Sequence, residues 1–169
     1  MTYNKHWHCY HCVILCFCII SVVQEVPSPA IISSSGSFDH GSGPDQIMDG
    51  NIETHWNPQI PNGQNFNNWY ITFELDQRYT VTNVKLRNFG NGSHDITSFK
   101  LEGSQDQVTW QKGGVVTDVA TGTREWQSFG GFTATGKYLK FTVTQTKSGW
   151  QPLLRQIAFI GFPGKYSYI

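Results

Sequence analysis

The chain has 169 residues, with 12 Lys and Arg against 12 Asp and Glu, so its formal net charge is zero. The charges are interspersed, without the basic run that tracks a phosphate backbone or docks on an anionic bilayer. Nucleic acid is excluded as a partner and direct membrane binding is disfavoured; the length suits a single domain.

Residues 1–11 are polar, with Lys5 and three histidines, and Cys12 to Val23 is apolar apart from Ser21. Twelve residues are too few to span a bilayer, which takes about 20. A weakly basic start, an apolar run and then small residues make the order of a secretory signal peptide. Residues 1–30 are therefore expected to be a leader, cut between 23 and 30, and the protein to be secreted. Ser28-Pro29-Ala30 supplies a small-x-small cleavage signature, and Ser21-Val22-Val23 offers an earlier one. All four cysteines, Cys9, Cys12, Cys16 and Cys18, lie in this leader. Small secreted domains often depend on disulfides, but roughly 140 residues bury enough surface to do without them. Cys9-x-x-Cys12 beside His6, His8 and His11 also has a zinc-ligand spacing. One such pair running straight into an apolar segment reads better as leader.

Ser33 to Gly43 is rich in Ser and Gly and is expected to be irregular surface chain. Beyond it the hydrophobic period is two. Trp69, Ile71, Phe73 and Leu75 point inward, and Tyr70, Thr72 and Glu74 outward. The same alternation puts Val84, Leu86, Phe99, Leu101, Leu139, Phe141, Val143, Ile157 and Phe159 inside. Turn signals fall at Asp76-Gln77, Phe89 to Ser93, Gln105-Asp106, Lys112 to Gly114, Gly130-Gly131 and Lys147 to Gly149. No window carries an apolar stripe at helical spacing. Short strands at this interval predict an antiparallel β-sandwich. Asn91-Gly92-Ser93 is a glycosylation sequon in one of the Gly-rich turns.

The segment DGNIETHWN, from Asp49 to Asn57, fits neither period. It places Asp49, Asn51 and Thr54 within six residues, which suits a tight loop that turns its oxygens inward, with Gly50 permitting the bend. Such oxygens match a hard cation like calcium, which takes about six to eight of them. The same residues also hydrogen-bond a turn unaided, so both readings stand. Together with NWYITFEL (68–75), GSQDQVTWQ (103–111) and GKYLKFTV (136–143), this segment resembles the discoidin family, also called the coagulation factor 5/8 type C or galactose-binding-like family. The resemblance runs from about Ile32 to Gly161.

That resemblance implies an all-β, eight-stranded antiparallel jelly-roll sandwich over residues 31–162, with 163–169 as a short tail, and Trp56 in the core. It implies a binding module. In calcium-bearing relatives the Asp49-type loop is closed by an acidic residue on the last strand. Here that position is Gln156, so the metal set would be Asp49, Asn51, Thr54 and Gln156 around a structural Ca2+, with one charge fewer. Many relatives also carry a disulfide joining their ends, which a cysteine-free mature chain cannot form.

Ligands in this family bind at loops gathered at one end of the sandwich. The matching loops are Asn57 to Asn68 with Phe66, Asn88 to Asp95, and Thr146 to Pro152. Sugars are held by planar amides and carboxylates against neighbouring hydroxyls, with an aromatic ring beneath the pyranose. Asn57, Asn88, His94, Asp95 and Trp150 are the candidate contacts, though Asn and Asp are also ordinary turn residues. An Arg near the end of the second long strand is common in sugar-binding relatives; Arg87 lies near that position, or Phe89 occupies it. No enzyme is expected. The mature chain keeps only His40, His55 and His94, and His94-Asp95 are sequence neighbours, not a relay assembled from separate segments. The expected partner is a cell-surface or extracellular glycan or glycoconjugate, bound multivalently through a homo-oligomer because single shallow sites are weak. The alternative is a membrane- or protein-binding adhesion module using Phe66, Phe89 and Trp150 with Lys147.

Overall fold

The computed structural model describes residues 22–37, 39–58 and 68–164. Eight strands make up the fold: β1 (Gln24–Glu25), β2 (Ala30–Ser34), β3 (Trp69–Asn88), β4 (Ile96–Ser104), β5 (Gln111–Val116), β6 (Gln127–Phe129), β7 (Ala134–Thr146) and β8 (Leu154–Pro163). A single 3-10 turn, Pro44–Met48, precedes the Asp49 loop, and the described residues contain no α-helix. All the pairings are antiparallel.

The 20-residue strand β3 serves both layers. Its first part, 69–74, pairs with β2 and β7, and β7 continues to β4 and β5. Its second part, 79–88, pairs with β8 and β6, with 79–81 still paired to β7 on the other side, and β8 carries β1 on its other edge. Asp76-Gln77, expected as a turn between two strands, is instead where one strand bends from layer to layer. The register shifts there, between Glu74 and Tyr79. An irregularity of this kind bends and twists a strand without ending it.

The core lies between the layers and follows the period-two reading. Trp69, Ile71, Phe73 and Leu75 are all essentially buried. Phe73 meets Phe159 of the opposite layer edge-on at 5.1 Å, and Phe99 meets Phe129 at 5.5 Å. Aromatic pairs in this geometry add to the stabilisation that burial alone provides.

Three further segments depart from the sequence reading. Lys112 to Gly114 is not a turn but lies within β5. Its glycines let two segments approach: a Cβ on Gly113 would lie 2.4 Å from that of Ala134, and one on Gly114 would lie 2.6 Å from the Phe132 ring. Ser33 and Ser34 belong to β2, not to irregular chain. Gln24 and Glu25 pair with Gly161 and Ile160, and buried Val26 donates its N–H to Phe159 O at 2.9 Å. The sheet thus begins upstream of residue 31.

Candidate functional site

The Asp49 loop closes on itself. Asp49 Oδ1 accepts the Asn51 N–H at 2.8 Å, and the Asn51 side chain turns to accept the Glu53 N–H at 3.0 Å. Asn51 therefore offers the loop's centre its main-chain carbonyl, where the sequence suggested its amide. Around Thr54 Oγ1 lie Asp49 Oδ2 at 2.8 Å, Asn51 O at 2.7 Å and Gln46 O at 3.4 Å. A hydroxyl has one proton to give to these three acceptors. These are oxygens of the kind a hard cation takes, and here they gather around the Thr54 hydroxyl. Gln156 is buried on β8 and lines the same cleft as Gly50 and Met48, so the last strand does face this loop.

The staple between loop and last strand is a residue that the sequence reading passed over. Arg155 is 3% exposed. Its Nη1 donates to Ile52 O, its Nε donates to Phe89 O at 3.3 Å, and Nη1 lies 3.8 Å from the Glu53 carboxylate. Its guanidinium sits 4.6 Å from the centre of the Phe89 ring, a cation–π distance. His55 packs edge-on against the same ring at 4.9 Å. Burial first, and then Arg155, lower the His55 pKa, with Asp39 opposing. A lone Arg within the LLRQIAF run was the available signal. Trp56 is buried, donates its indole N–H to Gly36 O at 2.9 Å, and bridges to Leu154 through its backbone.

At the loop end the structure brings together some of the expected contacts and withdraws two. His94 Nδ1 lies 2.8 Å from Gln151 O, and Gln151 Nε2 reaches Asn57 Oδ1 at 3.5 Å. A carbonyl opposite Nδ1 requires the hydrogen there, which leaves Nε2 as the acceptor of the neutral ring. Trp150, which precedes Gln151, is 59% exposed. Its loop is pinned: Thr146 Oγ1 donates to Trp150 O at 2.5 Å, Ser148 Oγ to Ser93 O at 2.6 Å, and Lys147 N to Asp95 O at 3.0 Å. Gln151, within the expected loop but not among the expected contacts, links Asn57 to His94.

Asn88 and Asp95 are corrections. Both are fully buried. The Asn88 amide accepts from Ile96 N at 2.9 Å and donates to Ile96 O at 3.1 Å and Ala120 O at 3.0 Å. The Asp95 carboxylate accepts three backbone N–H groups, from Gly90 and Gly122 at 2.7 Å each and from Gly92 at 3.2 Å. Their polar atoms are committed to the loops beneath the surface, so neither addresses a ligand. Asn91 is exposed, and its Oδ1 accepts from Ser93 N at 3.1 Å and His94 N at 3.0 Å. Arg87 and Phe89, the two candidates for the strand-end Arg position, part company: Arg87 lies over Trp126, and Phe89 is held by Arg155 and His55. Phe66 and most of its loop lie outside the described residues.

This architecture recurs among known proteins. The third CBM32 of a family 31 glycoside hydrolase from Clostridium perfringens superposes with a TM-score of 0.66 at 20% identity, covering 78% of this chain and 89% of that one. A putative chitobiase fragment from Bacteroides thetaiotaomicron gives a TM-score of 0.68 at 16% identity, covering 89% and 98%. The CBM32-1 and CBM32-2 domains of ZmpB from Clostridium perfringens, in complex with GalNAc, give 0.63 at 20% identity, covering 77% and 34%. No curated protein matches the chain in sequence. A family profile described as F5/8 type C domain matches residues 31–156. With its eight antiparallel strands in this order, the chain belongs to the F5/8 type C, or discoidin, family.

Proposed function

We propose that this chain is a secreted, non-catalytic carbohydrate-binding module that seats a sugar on its loop end. Trp150 carries the reading: a large indole held exposed on a pinned loop, one residue before Gln151, which is linked to an imidazole and a second amide. An aromatic face takes the C–H side of a pyranose, because its negative π-face attracts those hydrogens as they leave water. His94, Asn57 and Gln151 supply donors and acceptors for the hydroxyls around it. The structural neighbour solved with GalNAc shows that this fold accommodates a sugar in that protein. A Ca2+ would be held by Asp49, Thr54 and the carbonyls of Asn51 and Gln46, with Gln156 facing the loop. It would brace the loop end and take no part in chemistry. Weak single sites would be offset by a homo-oligomer.

The membrane-binding alternative is weakened at Phe89, which Arg155 and His55 hold in place of a free apolar tip. The test is a glycan array probed with the full secreted chain, with and without chelator, beside a liposome pulldown. Sugar binding that His94→Ala and Gln151→Ala each reduce supports the proposal. Binding to liposomes with an empty array would sink it.

A further inference from the structure

We propose a second site, for an acidic saccharide, on the outer face of the layer formed by β1, β8, the second part of β3, and β6. It shares no residue with the sugar contacts proposed at the loop end, although Gln156 also faces the Asp49 loop. Trp126 enters this face from the connection just before β6 and is 37% exposed. Two cations of β3 lie over its indole, Lys85 Nζ at 5.0 Å and Arg87 Cζ at 4.9 Å from the ring centre. Lys85 and Arg87 are next-but-one neighbours, so both project from the same side of the strand. Among the described residues neither is paired with a carboxylate, and the buried Nε of Arg87 has no hydrogen-bond partner. A buried donor left unmade is costly and calls for an explanation.

Beside the indole lies a cleft of about 330 Å³ that Trp126, Gln156, Ala158, Glu25 and Ser28 help to line. Arg87 stands opposite Gln156 and Lys85 opposite Ala158, so the two cations are the cross-strand neighbours, on the same face of the sheet, of the amide and the methyl that line the cleft. Glu25 lies on β1, two strands from β3 and about 10 Å from it. The cleft is therefore polarised, positive at the Trp126 side and negative at the far edge. A pyranose laid along Trp126 would turn its carboxylate or sulfate to Lys85 and Arg87. Its hydroxyls would meet Gln156, with Ser28 and Glu25 beside it in a chain cut ahead of β1. Arg suits such an acid group because its planar fork matches two oxygens at once. A neutral sugar would leave the cations unanswered.

The test is affinity electrophoresis of the full chain through gels containing polymannuronate, heparin or neutral dextran. Retardation by polymannuronate or heparin is expected, about tenfold weaker in Trp126→Ala and in Arg87→Gln, and falling as salt rises from about 0.05 to 0.5 M. Retardation that is lost in Trp150→Ala but kept in Trp126→Ala would assign it to the loop end and overturn the second site. Retention by polymannuronate alone would assign a carboxylate, and by heparin alone a sulfate; either upholds the site. If Trp126→Ala melts far below wild type, the double variant Lys85→Gln, Arg87→Gln answers the same question. The proposal is overturned if wild type ignores both acidic polymers, if dextran retards it equally, or if the folded variants bind as wild type does.

Discussion

Arg155 reads Phe89 twice: its guanidinium lies 4.6 Å from the ring centre, and its Nε donates to the same residue's carbonyl at 3.3 Å. Together with the bond to Ile52 O, this ties the Asp49 loop and the 89–95 loop to one buried side chain on β8. Arg155→Met keeps the bulk and removes the donors. Hydrogen bonds to charged groups contribute about 1.5–3 kcal/mol each, whereas the contact with the exposed Glu53 contributes little. A loss of about 2–4 kcal/mol in chemical denaturation is expected. Glu53→Gln should change stability by less than about 1 kcal/mol. Equal effects from the two variants would mean that the ion pair, not the carbonyl bonds, does the stapling.

Asp95→Asn tests the correction at that position. The carboxylate gathers three N–H groups from two loops, so the amide leaves at least one poorly served. Stability should fall by about 2–4 kcal/mol in urea melts. Residual folded protein should bind sugar with undiminished affinity. Unchanged stability with lost binding would restore Asp95 as a ligand contact.

The sequence showed the period-two strands because burial alternates locally: Trp69, Ile71 and Phe73 announce a strand without help from elsewhere. It did not show that Asn88 and Asp95 were spoken for. Their partners, Ala120 and Gly122, lie 32 and 27 residues away, and no local signal marks a backbone group as the partner of a distant amide. Asp76-Gln77 misled for a related reason. Polar residues that end a strand look the same as polar residues that bend one into a second layer.

Calcium should raise the melting temperature of wild type if the Asp49 oxygens hold it. A ligand at a hundredfold excess over Kd stabilises by about 2.7 kcal/mol. Asp49→Ala should remove that response and lower stability in chelator as well, since Asp49 also closes the turn through Asn51 N and Thr54 Oγ1. Gln156→Glu should enlarge the response by adding a charge. Melting curves of wild type indifferent to both calcium and chelator would leave the loop as a hydrogen-bonded turn.

His55 makes stability depend on pH in the mildly acidic range. Burial and Arg155 lower its folded pKa, while the unfolded chain takes a proton near the ordinary value of about 6.5. Its contribution is therefore full above that value and is lost as pH falls below it towards the lower folded pKa. Thermal melts from pH 7.5 to 5.5 should show a decline in wild type and a shallower one in His55→Asn. Parallel declines would place the titration elsewhere.

Trp150→Ala separates a sugar platform from a packed residue. A core Trp truncated to Ala costs about 3–5 kcal/mol. Trp150 is 59% exposed, and the bonds that fix its loop run through Thr146, Ser148 and the Trp150 backbone, all of which Ala preserves. The melting temperature should move by no more than a few degrees, since about 1 kcal/mol shifts a domain of this size by roughly 3–5 °C. Sugar affinity should drop at least tenfold on the array, because the ring contributes contact area that no neighbour replaces. Trp150→Phe should recover part of it, since a smaller ring still offers a flat apolar face. A steep fall in melting temperature would show that the indole is packed. Unchanged binding in a well-folded Trp150→Ala would move the sugar elsewhere on the molecule, with the Trp126 face the next place to look.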